Sequence, residues 1–338
     1  MLQRNKMKKI SIITPIYNES NNIEHFLCSI EKIKYSYTSF ELVLINDGSM
    51  DETLKIIIDF KKQTKIDLKI ISFRKNRGRA YARHIGAKKA KYDLLFFLDC
   101  RCVVFPDALI VLNSIKYQPL LGVAIQETGD LVSRFFHKVR KKIYKDSFSS
   151  SFKDLYINES NFNHISKGMA TFFCNRKLFL KCQIKNLEDK DSSDDTKLLQ
   201  NIIRNKPILK TAKIKVTYYM RSSLWENLLH IYKRGPKFSD YYINNKGPFF
   251  SYYLATLFLI LSSVIVALFF PAYIIIAYLF LLAFIAFYLA GISLDAIFFI
   301  PLLVLFGLFF VSGVARKRFL DFIIIIFTVI LVYGIIAK

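Results

Sequence analysis

A stretch of 48 residues without one charged side chain, from residue 247 to residue 294, is the strongest constraint on how this chain folds. About 20 apolar residues make one helix long enough to cross a bilayer, so this stretch holds two such helices but not three. Pro271 lies near its middle, where it would interrupt a continuous helix, and we expect a tight turn there. A helix packed in a soluble core shows a polar stripe. This stretch shows none, so the pattern predicts insertion into a membrane.

Two further apolar stretches follow at residues 296–315 and 319–337, the second with Asp321 as its one charge. If all four stretches cross and the N-terminal half is cytosolic, the basic cluster at 316–318 falls outside, against the positive-inside tendency. A re-entrant or interfacial stretch within 249–290 would return that cluster to the cytosol. We therefore expect residues 241–338 to form an all-α, multi-pass transmembrane bundle of three to four hydrophobic helices.

The charge of the chain lies almost entirely in front of the apolar region. The net charge is +23, and after residue 248 four basic residues face two acidic ones, which leaves +21 for the first 248 residues. Such a field attracts nucleic acid, anionic lipid or phosphorylated substrates. Next to a membrane anchor, the lipids of the anionic cytoplasmic leaflet are the simplest partner, and we expect no nucleic-acid binding. The N-terminal apolar run at 10–13 is too short for a signal peptide, so residues 1–240 are expected to be cytosolic.

Buried strands and helices alternate along the first hundred residues. The apolar runs at 9–16, 40–46, 68–73 and 93–98 read as strands, with amphipathic helices between them, two of them near 52–61 and 80–90. This alternation predicts a parallel, right-handed α/β sheet. Ligands of such sheets gather at the carboxyl ends of the strands.

Polar clusters follow each of these strands. Asp47 can accept hydrogen bonds from a nucleotide base or from ribose hydroxyls, whereas Asn76, Gly78, Arg79 and Arg83 can approach a pyrophosphate. Taken singly, these signals are weak, because N-D-G-S is a common turn and a lone arginine usually lies on a solvated helix face. Their order and spacing together indicate a site for a nucleoside diphosphate.

Four ordered motifs resemble the family-2 glycosyltransferases of the GT-A fold. The motifs are T-P-I-Y-N-E at 14–19, I-N-D-G-S-M-D-E-T at 45–53, N-R-G-R-A-Y-A-R-H-I-G-A at 76–87 and F-L-D-C-R-C at 97–102. The resemblance covers about residues 8–240 and implies an α/β, Rossmann-like nucleotide-sugar-binding domain at 1–240, followed by the helical anchor at 241–338. It also implies roles for particular residues: Pro15, Tyr17 and Glu19 border the base, Asp47 holds it, and Asp99 contacts the ribose and phosphate. The whole expected donor-binding set is Pro15, Tyr17, Glu19, Asp47, Asn76, Gly78, Arg79, Arg83, Asp99 and Arg101.

One motif departs from the family pattern. The family usually has a D-x-D whose last carboxylate binds a divalent metal, but this chain has Asp99, Cys100 and Arg101 in those places. An arginine has no lone pair to offer a cation. Three readings stay open: Asp99 alone helps to hold Mn or Mg, Arg101 supplies part of the metal's charge, or this copy is catalytically weakened. We expect the first, with Asp99 as the metal ligand.

A second acidic element resembles the family's E-D-x-x-L, at residues 188–198. Asp194 and Asp195 fall in its two acidic positions, which implies Asp195 as the catalytic base with Asp194 beside it. Direct displacement at a sugar carbon needs a base that takes the acceptor's proton, and it inverts the anomeric configuration. The acidic run also suits an ordinary helix start, and Asp189 and Asp191 remain alternative bases.

The segment 221–235 joins the two halves with an apolar stripe that includes Leu224, Leu228 and Ile231. Such a stripe fits a helix lying on the bilayer or a helix packed in a core. The Q-x-x-R-W signature of processive synthases is absent, which favours transfer of a single sugar. We expect an inverting glycosyltransferase at a bacterial inner membrane. It would move one sugar from a nucleotide-sugar donor to a lipid-linked or polysaccharide acceptor, for a surface polysaccharide or glycolipid. The alternative is a non-catalytic sugar-nucleotide-binding or assembly protein.

Overall fold

The computed structural model describes residues 7–144, 153–188, 193–221, 223–238, 271–291, 294–316 and 318. Asp189, Asp191, the apolar stretch before residue 271 and the one at 319–337 lie outside these residues. The chain divides into two compact units. The first contains Met1–Glu127 and Ile143–Met220, and the second contains Thr128–Lys142 and Arg221–Lys338.

The first unit begins with four parallel strands separated by helices, as the sequence predicts. Their order in the sheet is β3-β2-β1-β4, so the chain adds strands first on one side of β1 and then on the other. The elements are β1 (Ile10–Ile16), α1 (Ser20–Glu31), β2 (Phe40–Asn46), α2 (Thr53–Gln63), β3 (Asp67–Ser72), α3 (Arg79–Lys89) and β4 (Leu94–Leu98).

The rest of the sheet is mixed rather than parallel. Beyond β4, the strand order is β8, β6, β9 and β5, and the pairs β4–β8, β6–β8 and β5–β9 are antiparallel. Strand β7 pairs with β9 outside this path. The elements are β5 (Cys102–Val104), α4 (Ala108–Ser114), β6 (Leu120–Gln126), α5 (Leu131–Tyr144), β7 (Leu155–Ile157), β8 (Thr171–Asn175), α6 (Arg176–Lys181), α7 (Asp194–Ile203) and β9 (Ile208–Tyr218).

Both faces of the parallel strands are buried. In β2, Leu42 and Leu44 belong to the apolar cluster that also contains α1, whereas Val43 and Ile45 belong to the cluster on the opposite face. Successive strand residues point to opposite faces, so a strand covered on both sides is apolar throughout. Burying one such side chain contributes about 1.5–3 kcal/mol. The continuous apolar runs therefore specify where these strands lie.

Lys210 in β9 is buried, and Lys167 in the loop before β8 is partly buried. Lys210 is 4% exposed, and its ammonium donates to the carbonyl of Ser166 at 2.5 Å. Lys167 donates to the carbonyls of Phe162 and Ile165, and its ammonium lies 4.2 Å from the centre of the Phe162 ring. Burial lowers the pKa of each lysine to about 8, and for Lys210 the charge of Lys167 adds to this effect.

The lowered pKa of Lys210 predicts how its substitution depends on pH. Between pH 8 and 10.5 the unfolded chain holds a proton on this lysine that the folded chain has released, so the stability of the folded chain rises with pH. From pH 7 to pH 10, the free energy of unfolding of the wild type should increase relative to Lys210→Met by about 2 kcal/mol. Urea titrations followed by circular dichroism measure this difference. Lys213→Met, at an exposed lysine of the same strand, should show no such change.

The second unit contains α5 and three later helices: α8 (Leu224–Phe238), α9 (Pro271–Ala290) and α10 (Asp295–Ala315). Helix α9 begins at Pro271, where the sequence predicts an interruption, and proline suits a first helical position. Within the described residues, one helix is long and apolar enough to cross a membrane, at Ile297–Val314, and the run Ile275–Ala290 is shorter. Of the longer segment, 28% is buried, which is less than is usual for the core helix of a soluble protein.

Helix α5 packs its apolar face against α10. The ring of Phe135 lies 5.1 Å from that of Phe299 and stacks on that of Phe306 at 5.6 Å. Beside this face, Arg134 donates from Nε and Nη2 to the two carboxylate oxygens of Asp295, each at 3.0 Å. Residues 128–142 therefore belong to the unit of apolar helices, although they interrupt the sequence of the first unit.

Helix α8 meets α10 at two glycines. A Cβ atom added to Gly235 would overlap the backbone of Gly313, and one added to Gly313 would overlap the carbonyl of Tyr232. Further along the same contact, the Trp225 ring lies 5.8 Å from that of Phe309. Leu228 is buried and Ile231 partly buried in the same cluster, as the predicted helix and its apolar stripe require, whereas Leu224 is exposed. The two backbones approach so closely because neither glycine has a side chain.

This contact predicts the effect of one added side chain. Gly313→Leu should separate α8 from α10 and destabilise the second unit by about 1–3 kcal/mol, as overpacking does. Trp225 is the only tryptophan of the chain, so its fluorescence reports this contact directly. The matched control is Gly307→Leu on the same helix, because a Cβ atom there meets nothing within 4 Å. Equal emission spectra and melting temperatures for the two variants would contradict the predicted contact.

Candidate active site

The predicted site residues follow the carboxyl ends of the parallel strands, as expected. Asp47, directly after β2, is 2% exposed and accepts hydrogen bonds from two backbone amides, those of Arg77 at 2.7 Å and Gly78 at 2.9 Å. The neighbouring Gly48 has φ +73°, and a Cβ atom there would overlap the backbone of Lys75. The carboxylate of Asp47 thus fixes the loop that starts α3.

The loops after β1 and β2 are cross-linked by four hydrogen bonds that the sequence does not predict. Each runs from a backbone amide to a side chain, over 2.9–3.1 Å. The turn-forming residues of the N-D-G-S-M-D-E-T motif were the one sequence signal for this arrangement. The bonds join Asn18 N to Ser49 Oγ, Glu19 N to Thr53 Oγ1, Ser20 N to Asp51 Oδ2, and Met50 N to Asn18 Oδ1.

Two arginines of α3 pair with the two acidic residues that begin α7. Arg79 Nε donates to both carboxylate oxygens of Asp194 at 2.9 Å, and Arg83 Nη1 donates to Asp195 Oδ1 at 2.5 Å. Arg79 Nε also lies 3.6 Å from Asp195 Oδ1. Asp194 and Arg83 are both buried, so each charge needs its partner. The structure thus brings predicted donor-binding and catalytic residues into one cluster.

The two arginines control the protonation of Asp195. Burial alone would raise the pKa of this carboxyl, but the guanidiniums of Arg79 and Arg83 outweigh it and hold the pKa well below the usual range. The backbone N–H of Met169 adds to the lowering. In this arrangement Asp195 is an ionised carboxylate but a weak base, because a strongly stabilised anion attracts a proton poorly.

The D-C-R segment after β4 is organised around a second ion pair. Arg101 Nε donates to both carboxylate oxygens of Glu19, at 2.8 and 3.0 Å, and both side chains are 12% exposed. Asp99 Oδ1 accepts from the backbone N–H of Arg101 at 3.3 Å. Arg79 also feels the charge of Asp99, which links this pair to the cluster on α3 and α7. The sequence predicted Glu19 and Arg101 as site residues but not that they pair.

The residues around Asp99 do not fit a divalent metal. Burial and the charge of Asp99 raise the pKa of the Cys100 and Cys102 thiols, which disfavours the thiolate form that binds a metal. The place of the second carboxylate holds the guanidinium of Arg101, which repels a cation. Among the residues that the structure describes, no group of three or more His, Cys, Asp or Glu side chains is arranged to hold a metal ion.

The remaining predicted residues lie at the same edge but make fewer contacts. Pro15 pairs with Ile45 in the register of β1 and β2, and Tyr17 is exposed in the following loop. Asn76 is half-buried beside Gly48 in the loop that Asp47 fixes. Their expected contacts with a nucleotide remain predictions.

Comparison with known sequences gives this geometry a context. The family described as glycosyl transferase family 2 matches residues 11–177. A poly-beta-1,6-N-acetyl-D-glucosamine synthase of Staphylococcus epidermidis is 36% identical over 121 residues, which are 36% of this chain and 28% of that protein. One from Staphylococcus aureus is 34% identical over 118 residues, which are 35% of this chain and 28% of that protein. The matched region is thus little more than a quarter of these relatives' length.

Solved structures share the fold. A crystal structure of Staphylococcus aureus TarS in complex with UDP-GlcNAc has a TM-score of 0.51 and 17% identity, and the match covers 68% of this chain and 66% of that chain. The mannosyltransferase PcManGT from Pyrobaculum calidifontis, in complex with GDP-Man and Mn²⁺, has a TM-score of 0.57 and 14% identity, covering 93% and 88%. At these identities the likeness concerns the fold alone. Together with the family match, it shows that residues 11–177 of this chain contain a glycosyl transferase family 2 domain with the GT-A fold.

Proposed function

We propose that this protein is an inverting glycosyltransferase that takes a sugar from a nucleotide diphosphate and transfers it to a membrane-associated acceptor. The observation that carries the proposal is the pairing of Arg79 and Arg83 with Asp194 and Asp195 at the carboxyl edge of the sheet. Two cations for a leaving diphosphate and a carboxylate for an incoming hydroxyl are the groups that such a displacement needs.

The same pairing supplies a sequence of events. The diphosphate of the donor competes with Asp194 and Asp195 for Arg79 and Arg83, because phosphate oxygens accept the same charge-assisted hydrogen bonds. As the arginines turn to the diphosphate, the pKa of Asp195 rises towards its usual value and the carboxylate becomes a better base. Donor binding thus prepares Asp195 for the acceptor.

The transfer step is then a single displacement at the anomeric carbon. The acceptor oxygen forms a bond to the anomeric carbon while its proton passes to the carboxylate of Asp195. The bond from that carbon to the diphosphate oxygen breaks, and its electron pair leaves with the diphosphate. Arg79 and Arg83 stabilise the charge that develops there. Attack opposite the leaving group inverts the anomeric configuration.

The relatives suggest the class of product. Their printed names describe synthesis of a polymer of N-acetylglucosamine, and TarS was solved with UDP-GlcNAc. We infer a nucleotide-sugar donor and a lipid-linked or polysaccharide acceptor, in building a surface polysaccharide or glycolipid. Enzymes of this fold typically depend on a divalent metal, but the residues around Asp99 do not fit one, and no step above uses it.

The apolar helices support a location at the membrane, with the donor site in the cytosol. Helix α10 is the described segment with the length and composition to cross a bilayer. The division into a catalytic domain at 1–240 and an anchor at 241–338 remains a proposal, as does a multi-pass topology. Membrane lipids are the partner that these apolar surfaces fit.

The base assignment predicts the result of one substitution. Asp195→Asn keeps the size of the side chain but removes its basicity, so turnover should fall by about a hundredfold or more while donor binding persists. Release of nucleotide from UDP-, GDP- and dTDP-sugars, by full-length protein in membranes with crude lipid acceptor, measures it. Asp67→Asn is the control, at an exposed aspartate of β3 that pairs with Lys91.

The outcomes separate this proposal from its rival. A wild-type protein that binds a donor but never releases nucleotide would favour the non-catalytic sugar-nucleotide-binding or assembly protein. Unchanged turnover in Asp195→Asn, with a loss in Asp194→Asn, would move the base to Asp194.

The influence of Arg83 predicts a pH effect. Arg83 lowers the pKa of Asp195, so Arg83→Gln should raise that pKa and move the acidic limb of the kcat/KM profile to higher pH. Arg83→Lys retains the charge and should move the limb less. Rates measured between pH 4 and 8 supply the profile, with a check that each protein stays folded at both extremes. The direction of the shift follows from the loss of the positive charge alone. An acidic limb in the same place for all three proteins would contradict the role of Arg83.

A further inference from the structure

We propose that Arg101 binds the diphosphate of the donor in place of a metal ion, so that the nucleotide-sugar binds this protein without a divalent cation. The inference rests on the proposed function, because it needs a nucleotide diphosphate in this cleft. It adds a role for one residue and reverses the expectation that Asp99 holds Mn or Mg.

Arg101 is held in place at its guanidinium and at its backbone. Its Nε donates to both carboxylate oxygens of Glu19, and Glu19 is itself fixed by Asn22 Nδ2 at 2.7 Å and, through its backbone N–H, by Thr53 Oγ1 at 2.9 Å. The backbone carbonyl of Arg101 accepts from the N–H of Tyr219 at 2.9 Å. An arginine fixed in this way loses little side-chain entropy when it binds a ligand.

This ion pair leaves most of the donor groups of Arg101 available. Glu19 occupies Nε alone, and within the part of the chain that the structure describes, Nη1 and Nη2 make no hydrogen bond. Two Nη groups in one plane match two oxygens of a phosphate, which makes arginine well suited to diphosphates. A salt bridge with a purely structural role would be expected to use the whole fork on its carboxylate.

The surrounding charges favour an anion over a cation. Arg101 stands where the family has a carboxylate, so the local charge changes from negative to positive. Arg79 lies close enough to Asp99 to be stabilised by its charge, and Arg101 is stabilised by both Glu19 and Asp99. A divalent ion beside Asp99 would meet two guanidiniums, whereas a diphosphate would be attracted by both.

The test is donor binding by the full-length protein in lipid nanodiscs, measured by calorimetry in EDTA and in Mn²⁺. The probes are UDP-GlcNAc, GDP-mannose and dTDP-glucose. We expect the wild type to bind one of them equally well under both conditions. Arg101→Gln should weaken that binding by about tenfold or more in both, the effect of losing a charge-assisted hydrogen bond. Arg101→Asp should bind weakly in EDTA and more tightly with Mn²⁺.

Two further variants keep the test decisive. Arg204→Gln, at an exposed arginine 4.0 Å from Glu159, is the matched control and should bind as the wild type does. Arg101→Lys keeps the charge but not the fork, so it should bind more weakly than the wild type and still ignore Mn²⁺. Arg101→Lys still tests the proposal if Arg101→Gln and Arg101→Asp fail to fold.

The failures can be told apart. Binding by the wild type only with Mn²⁺, or full affinity in Arg101→Gln, overturns the role of Arg101 and leaves the proposed function standing. Absence of binding and of nucleotide release with every probe under both conditions overturns the proposed function, and this inference with it.

Discussion

The carboxylate of Asp47 is the contact on which the site depends. It accepts the backbone amides of Arg77 and Gly78, immediately before α3, and so fixes where that helix begins. The buried Ala82 and Ala87 let α3 lie close to the sheet. With its start and its inner face set, α3 presents Arg79 and Arg83 to α7. An acidic residue buried under a loop thus helps to set the position of the helix that carries two arginines of the site.

Opposite charges are paired throughout the site. Three arginines and four carboxylates lie within one network, and each buried charge is stabilised by an opposite one. A buried pair contributes little net stability, because desolvation offsets the attraction. Its value here is that a diphosphate can take the place of the carboxylates as the partner of the arginines, so that the guanidinium charges stay paired throughout. The arrangement suits a site that must exchange one set of anions for another.

The sequence predicted the first half of the sheet well, because strands buried on both faces read as continuous apolar runs. It missed the mixed second half, where β8 pairs with β4 and β6 across long separations that no local pattern reveals. It placed Asp194 and Asp195 at a helix start, which α7 confirms. It could not foresee that Arg101 pairs with Glu19, since 82 residues separate them and composition says nothing of partners. Motifs thus located the residues, and only the fold showed their contacts.

The ends of α10 show how charge limits an apolar segment. Asp295 lies in its first turn and is held by Arg134 of α5, whereas Arg316 follows its last turn and lies over the ring of Tyr232 of α8, 4.9 Å from the centre. An acid at the start and a base at the end both favour the helix dipole. The 21 residues of this helix span about 30 Å, the thickness of a bilayer's hydrocarbon core. A charge on α5 and an aromatic ring on α8 therefore hold the two ends of a segment whose length and composition suit a bilayer.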